Sequence, residues 1–174
     1  MLLTPMSGGS LYITKQLSIP FVKAVANVHW KIHKSWKFEP EREVPEVGDV
    51  GTLEKEVPNL GLVKNSQTLR KYINTESYYE REYHFTSNFL PEVEGYIANM
   101  TVFYDAESPE KSFVVYRATW DQGEVSDMFK ALMKGLIDTF EDPTPTTPLT
   151  SMNPTSSDSF KTGCKGAVDA FDAP

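Results

Sequence analysis

The sequence predicts an α+β domain in which a curved antiparallel sheet wraps around one long C-terminal helix. Apolar and polar residues alternate through most of the segment 44–119, which is typical of β-strands. The connections within that segment are short and rich in turn residues, so consecutive strands are expected to run antiparallel. After residue 126 the apolar residues recur at helical spacing instead, which indicates an amphipathic helix that covers one face of the sheet.

A first strand and a short helix are predicted before this segment. Apolar and polar side chains alternate over residues 11–17. Pro20 is tolerated in a first helical turn, so a helix is expected to begin there and to break near His33. Its apolar residues keep helical spacing and are Phe21, Val22, Val25, Val28 and Ile32.

Further strands and the long helix complete the predicted domain. The strands are expected at 50–57, 62–73, 76–87, 95–104 and 111–120. Ser126 is the predicted N-cap of the helix, and Asp127 lies in the first turn, where the helix dipole favours a negative charge. Pro143 is expected to end the helix. Its apolar stripe consists of Phe129, Leu132, Met133, Leu136, Ile137 and Phe140.

The composition divides the chain into three parts. Residues 1–9 lack periodicity and end in two glycines, so they are predicted to be a flexible N-terminus, and residues 10–142 form the domain. The segment 143–159 consists mainly of Pro, Thr and Ser, which predicts a disordered tail over 143–174. A peptide that docks on a partner through Phe160 and Phe171 is the alternative for this tail.

Charge and cysteine content restrict the partners that we expect. The net charge of −7 argues against nucleic acid, because an acidic surface repels phosphates. No stretch approaches the roughly 18 apolar residues that a membrane-spanning helix needs, so no membrane insertion is expected. The single cysteine, Cys164, excludes an internal disulfide, and residues 1–10 lack the apolar run of a secretory signal. We therefore expect a cytoplasmic protein.

Four short stretches of the chain have a recognisable order and spacing: the Ile-Pro step at 19–20 with the Trp-containing segment 33–40, the glycine turn at 47–53, the loop and strand at 90–98, and the strand at 113–121. Together they resemble the START-like helix-grip superfamily (SRPBCC), which includes Bet v 1-type plant proteins, bacterial polyketide cyclase/dehydrase-like proteins and plant abscisic-acid receptors. The resemblance spans roughly residues 10–141. It implies seven strands, with a short second strand at 41–47, and two short helices after the first strand.

The resemblance also implies a function and a set of residues. Members of the superfamily bind hydrophobic small molecules such as lipids, sterols and polyketides in a cavity between the sheet and the C-terminal helix, and some catalyse cyclisation or dehydration there. No cofactor or metal is implied. Leu60 lies where the hormone receptors carry a gate loop. The implied pocket-lining residues are Tyr96, Ala98 and Met100 on one strand, and Phe129, Met133 and Ile137 on the final helix.

Polar residues within the predicted strands are candidates for ligand recognition or chemistry. Tyr96 could donate a hydrogen bond to a ligand oxygen, or be a core tyrosine with an internal partner. Arg81 and Arg117 each interrupt an otherwise apolar strand, and an inward guanidinium would bind a carboxylate or polarise a carbonyl. Arg117 is accordingly placed among the ligand-binding candidates, although its face of the strand is left open.

Histidines offer weaker candidates. His84 is a possible general acid or base, but Glu80 and Glu82 alternate on the same face, which a solvated surface explains equally. His29 and His33 have the spacing of metal ligands on a helix, but no third ligand is evident, so a surface pair is expected.

These observations leave three hypotheses for the function. The first is a protein that binds a small hydrophobic ligand. The second is a polyketide cyclase/dehydratase-type lyase or isomerase that uses the same cavity, with Tyr96, His84 or an inward arginine handling protons. The third is an interaction module with a collapsed cavity, and it leaves a protein partner or a dimer open.

Overall fold

The structure of the chain is a computed structural model that describes residues 7–34, 36–59 and 61–142. Three predictions therefore lie outside the described residues: the first part of the N-terminus (1–6), the tail (143–174), and the candidate ligand residue Leu60.

Seven antiparallel strands form one sheet, as predicted, in the order β1-β7-β6-β5-β4-β3-β2. The strands are β1 (Ser7–Leu17), β2 (Lys37–Glu39), β3 (Val50–Val57), β4 (Gly61–Asn74), β5 (Tyr78–Ser87), β6 (Ile97–Tyr104) and β7 (Ser112–Gln122). Every pairing is between antiparallel neighbours, and chain-consecutive strands from β2 to β7 lie side by side. β1 closes this meander by pairing with β7.

The first strand begins earlier than predicted, because two glycines allow a close approach to β7. Gly9 pairs with Trp120, and a Cβ atom at Gly9 would lie 2.4 Å from the indole ring of Trp120. A Cβ atom at Gly8 would lie 2.0 Å from the Trp120 carbonyl oxygen. The segment 7–9 therefore belongs to the sheet and not to a flexible N-terminus.

The second strand lies at Lys37–Glu39, so the prediction of a strand at 41–47 is wrong. Pro40 and Pro45 have no N–H group to donate to a neighbouring strand, which disfavours a strand between them. In the observed pairing, Phe38 lies opposite Gly51 of β3. A loop connects the two strands, and its valines Val44 and Val47 are exposed.

The helices lie where the sequence places them. α1 spans Phe21–His29 and continues directly into a π-helical turn at Trp30–Lys34. The resemblance implies a second short helix within the segment 33–40, but Lys37–Glu39 of that segment form β2 instead. α2 spans Asp127–Asp138 and ends in a 3₁₀ turn at Thr139–Glu141. Ser126 is its N-cap, as predicted: the Phe129 N–H donates to the Ser126 hydroxyl at 3.2 Å.

The predicted apolar stripe of α2 is buried against the inner face of the sheet. All six stripe residues, from Phe129 to Phe140, are at most 6% exposed. They join one apolar core with inward-facing residues of β4 to β7. None of the described helices is long and apolar enough to cross a bilayer.

Hydrogen bonds from α1 and from Ser18, the residue after β1, hold the segment that follows α2. The buried Asn27 side chain on α1 donates to the carbonyl oxygens of Phe140 and Asp142, each at 2.7 Å. The Ser18 N–H donates to the Glu141 carboxylate, also at 2.7 Å. These contacts fix one end of the helix over the sheet and so define the space between them.

Candidate functional site

A small cavity lies between α2, the π-helical turn and the inner faces of β4 and β5. Its volume is about 20 Å³, which is room for about one water molecule. An organic molecule can therefore enter only if lining side chains move. The lining residues are Lys31, Ile32, Trp36, Gln67, Tyr83, Phe85, Met133 and Leu136.

Most of the cavity wall is apolar and aromatic. Met133 and Leu136 come from the buried stripe of α2, and Phe85 comes from the inner face of β5. Trp36, which is half-buried, contacts Phe85 edge to face, with ring centroids 6.2 Å apart. Met133 is unbranched and has several rotatable bonds, so this part of the wall can change shape at low cost.

Gln67 and Lys31 form the polar part of the wall. The Gln67 side-chain amide on β4 donates to the Ile32 carbonyl oxygen at 3.2 Å, which fixes the orientation of the amide. The Lys31 side chain is only 2% exposed, and its Nζ lies 3.6 Å from a carboxylate oxygen of Asp142. The charge of this buried lysine is therefore compensated within the chain.

Arg81 lies beside the cavity and is fully buried, on the inner face of β5. Its Nη2 donates to the Gln67 side-chain oxygen at 3.4 Å, which is close to the upper limit for a hydrogen bond. Its Cζ lies 5.5 Å from the ring centroid of Phe38 and 5.8 Å from that of Tyr83. The sequence left the face of Arg81 open, and the structure places it inward.

The guanidinium of Arg81 lacks the partners that a buried cation usually has. Within the described ranges it forms no ion pair with a carboxylate, and its Nε and Nη1 have no hydrogen-bond partner. Transfer of an unpaired charge into a protein interior is costly. The neighbouring rings of Phe38 and Tyr83 offer a cation–π attraction, which is smaller, and the adjacent Tyr79 hydroxyl is neutral, so neither supplies a counter-ion.

Further unpaired polar atoms lie on the same inner faces. The Tyr79 hydroxyl and both side-chain amide atoms of Asn65 are buried and have no hydrogen-bond partner among the residues that the structure describes. Burial raises the pKa of Tyr79 and of Tyr83 to about 12, so both hydroxyls are neutral and able to donate at neutral pH. The interior of the β4–β5 region is therefore rich in donors.

Gly51 explains how the Phe38 ring reaches its place under the guanidinium. A Cβ atom at Gly51 would lie 2.6 Å from the ring of Phe38, closer than packed atoms tolerate. The glycine thus lets the Phe38 ring pack directly against β3. Phe38 is 5% exposed there, and its ring also stacks on that of His33, with centroids 4.1 Å apart. The sequence includes this glycine both in the glycine turn at 47–53 and in the predicted strand 50–57, and the structure places it within β3.

Of the predicted pocket-lining residues that the structure describes, Met133 lines the cavity. The others with inward-facing side chains are at most 2% exposed in the core and are not part of the cavity wall; they are Tyr96, Ala98, Met100, Phe129 and Ile137. Their participation in binding stays a prediction, because a larger opening would be needed to expose them.

Tyr96 has an internal partner. Its hydroxyl oxygen lies 2.7 Å from that of Tyr116, and its ring stacks on Trp120 with centroids 5.9 Å apart. Burial raises the pKa of both tyrosine hydroxyls. This arrangement agrees with the alternative of a core tyrosine.

Arg117 lies on the outer face of the sheet, contrary to its prediction as a ligand-binding residue. Its side chain is exposed, and its Cζ lies 5.8 Å from the ring of Tyr12 on β1. Sequence alternation could not place it, because the outer face of β7 also carries the buried Val115. The arginine that the fold turns inward is Arg81.

His84, Glu80 and Glu82 share the outer face of β5, as the alternation predicts. Burial alone would raise the pKa of Glu80, but hydrogen bonds from Lys71, Asn99 and Tyr78 outweigh it and hold the pKa below its usual value. Glu80 and Glu82 are thus engaged in ion pairs and hydrogen bonds on the outer face, and none of the three side chains faces the cavity.

The two histidines stack, with His29 at the end of α1 and His33 in the π-helical turn. The rings of His29 and His33 are 4.9 Å apart, and His33 is 2% exposed, so the expected surface pair is wrong for His33. Its Nε2 lies 3.3 Å from the Arg42 carbonyl oxygen. No group of three or more metal-ligating side chains occurs within the described part of the chain.

Most residues of the cavity wall follow no pattern that would distinguish them in the sequence. Trp36 is distinctive only as part of the segment that resembles the superfamily, and Gln67 is one position of a predicted strand. A weak signal exists in β4, where the inward positions Val63, Asn65, Gln67 and Leu69 mix amide and apolar side chains. Two amide side chains among the apolar inward positions of one strand indicate that polar groups have a role in the interior of the fold.

Solved structures with a similar fold support this architecture. A protein of Nitrosospira multiformis is 16% identical, with a TM-score of 0.56, and the match covers 74% of this chain and 91% of that one. Ara h 8.0201 is 12% identical, with a TM-score of 0.59 and coverage of 77% and 95%. Major latex-like protein 151 of Panax ginseng is 13% identical, with a TM-score of 0.52 and coverage of 75% and 91%.

No protein-family model and no curated protein matches the chain. Similarity to solved structures at these low identities establishes the fold alone. The chain has the Bet v 1-type helix-grip fold, which confirms the fold that the resemblance implies.

Proposed function

We propose that the chain binds a small, largely apolar organic molecule between α2 and the inner faces of β4 and β5. One observation carries this proposal: a cavity with aromatic and aliphatic walls lies beside buried polar atoms that have no partner within the described residues. Each unpaired buried polar atom costs about 1–3 kcal/mol. A core that served packing alone would gain stability by replacing such groups with apolar ones.

The ligand must widen the cavity as it binds, because the cavity of the unbound chain has a volume of about 20 Å³. Met133 and Trp36 are the side chains best suited to move. Met133 is unbranched and forms part of one wall, and Trp36 is half-buried at the edge of the core. Binding would therefore remodel the cavity through side-chain rotation.

Apolar contact alone would bind such a molecule weakly. Burial of roughly 200 Å² of ligand surface contributes about 5 kcal/mol at ~25 cal/mol per Å². This free energy corresponds to a dissociation constant of about 0.2 mM, before the entropic costs of binding are subtracted. Polar contacts must supply the rest, and Gln67, Tyr83 and the neighbouring Arg81 are placed to do so.

The neutral fluorescent probe N-phenyl-1-naphthylamine tests the proposal. We expect its fluorescence to rise when it is mixed with the wild-type chain. With Met133→Trp we expect no rise, because the larger side chain fills the cavity and the probe does not bind. Met128→Trp is the matched control: it places the same substitution on the same helix at an exposed residue, and it should bind the probe like the wild type.

Equal binding of the probe to Met133→Trp, with the fold retained, would count against the site. Absence of probe binding to the wild type would favour the third hypothesis, an interaction module. Native mass spectrometry of the protein purified from its own cells provides a second test, since a retained small molecule would appear as an added mass that denaturation removes.

A further inference from the structure

We infer, on the basis of the binding function proposed above, that the ligand carries a carboxylate and that the guanidinium of Arg81 is its counter-ion. The ligand would thus be a small organic acid with an apolar body. The apolar part would occupy the widened cavity, and the acid group would lie toward the inner face of β5.

The two buried cations of the site differ in a way that supports this inference. Lys31 has the carboxylate of Asp142 at 3.6 Å. Arg81 is more deeply buried, at 0% exposed, yet no carboxylate of the described residues pairs with it. A buried charge without a counter-ion is rare unless a bound group supplies one.

A single layer of side chains separates the guanidinium from the cavity. Gln67 and Tyr83 both line the cavity, and both contact Arg81: the first accepts the 3.4 Å hydrogen bond from Nη2, and the second lies under Cζ at 5.8 Å. A ligand acid group that displaced the side-chain oxygen of Gln67 would exchange a weak bond for a charge-assisted one. The amide of Gln67 would keep its bond to the Ile32 carbonyl oxygen.

The surroundings favour a carboxylate over a phosphate. The rings of Phe38 and Tyr83 flank the guanidinium, and Lys31 is already paired with Asp142, so a single positive charge is left for an anion bound there. A planar anion with a single negative charge matches one guanidinium in size and charge. A phosphate carries more charge and needs donors on several sides.

Competition against N-phenyl-1-naphthylamine tests the inference with trans-cinnamate and trans-cinnamamide, which share a shape and differ in charge. The titrations should use a buffer free of chloride and acetate, because these anions would compete for the guanidinium. For the wild type we expect the carboxylate to compete at least about tenfold more strongly than the amide, in line with hydrogen bonds to charged groups.

Two variants and one control assign this preference to Arg81. Arg81→Met should bind both compounds about equally, whereas Arg81→Lys should keep part of the preference because it retains the charge. Arg117→Met is the matched control: it removes an exposed guanidinium from the outer face and should leave the preference unchanged. Retained near-ultraviolet circular dichroism would show that each variant is folded.

Equal competition by the two compounds in the wild type would overturn the inference, and so would a preference that survives in Arg81→Met. In both cases the probe itself still binds, so the proposed function would stand. If the probe fails to bind the wild type, the proposed function fails and this inference falls with it.

Discussion

The hydroxyl oxygen atoms of Tyr96 and Tyr116 lie 2.7 Å apart in the buried core, one just before β6 and the other on the inner face of β7. Each hydroxyl thereby satisfies the other in a place where water has no access. The pair fixes Tyr96 against Trp120 and Phe129, with ring centroids 5.9 and 5.7 Å away. It gives Tyr96 a structural role whether or not a ligand is bound.

We predict that Tyr96→Phe and Tyr116→Phe each destabilise the protein by about 1–2 kcal/mol, because each leaves a buried hydroxyl unpaired. The double variant should lose less than the sum, since it removes both polar groups. Urea unfolding of the four proteins measures this coupling. Additive losses would show that the two hydroxyls do not depend on each other.

The order and type of the elements could be predicted because they depend on local patterns. The strand at 50–57 and the helix capped by Ser126 follow directly from alternation, helical spacing and capping chemistry. The second strand could not be placed, since it is only three residues long and is defined by the pairing of Phe38 with Gly51.

The candidate site was predicted less well than the fold, for a physical reason. The residues that line a cavity depend on how side chains pack between the helix and the sheet. One sequence pattern is compatible with many such packing arrangements. Met133 was correctly placed on the inward stripe. The orientation of Arg81 could not be read from its strand, where Tyr79, Glu80 and Tyr83 are all buried although they do not share one face.

Stability should fall in alkaline solution because of the buried tyrosines. In the folded state the pKa of Tyr79 and of Tyr83 is raised to about 12, against 10.0 for an ordinary tyrosine. Well below pH 10 both tyrosines are protonated in the folded and the unfolded state, so they add no pH dependence to the stability. From about pH 10 to about pH 12 the unfolded chain loses protons that the folded chain keeps, so stability falls by up to about 1.4 kcal/mol per pH unit for each tyrosine.

Unfolding experiments across this pH range measure the effect, and Tyr79→Phe should make the decline less steep. The same variant should be neutral or slightly stabilising near neutral pH, since its hydroxyl has no partner within the described residues. A stability that stays level up to pH 12 in the wild type would contradict the burial of these hydroxyls.

Arg81→Met should stabilise the ligand-free protein or leave its stability unchanged. The variant removes a buried charge that forms no ion pair with the described residues, and it keeps a side chain of similar length. Arg117→Met, on the outer face, should also change little. Thermal unfolding of the two variants compares them directly. A loss of about 3 kcal/mol or more in Arg81→Met alone would mean that the guanidinium is already compensated within the chain.

Asn27 should be essential for holding the end of α2. Its side chain donates two 2.7 Å hydrogen bonds to the carbonyl oxygens of Phe140 and Asp142. We expect Asn27→Ala to destabilise the protein by about 2–3 kcal/mol, because one buried and one partly buried carbonyl group lose their partners. Asn74→Ala is the control, as Asn74 is exposed at the end of β4 and should cost less than about 0.5 kcal/mol. Similar values for the two variants, measured in urea, would refute this role.

The most direct test of the account is to observe Met133 while a ligand binds. The chain has six methionines, so isotope-labelled methionine methyl groups give a simple NMR spectrum in which Met133→Leu and Met128→Leu assign the two signals on α2. On titration with N-phenyl-1-naphthylamine, we predict that the Met133 methyl signal shifts strongly and that the Met128 signal stays in place. A Met133 signal that does not move while the probe binds would contradict a binding site between α2 and the sheet.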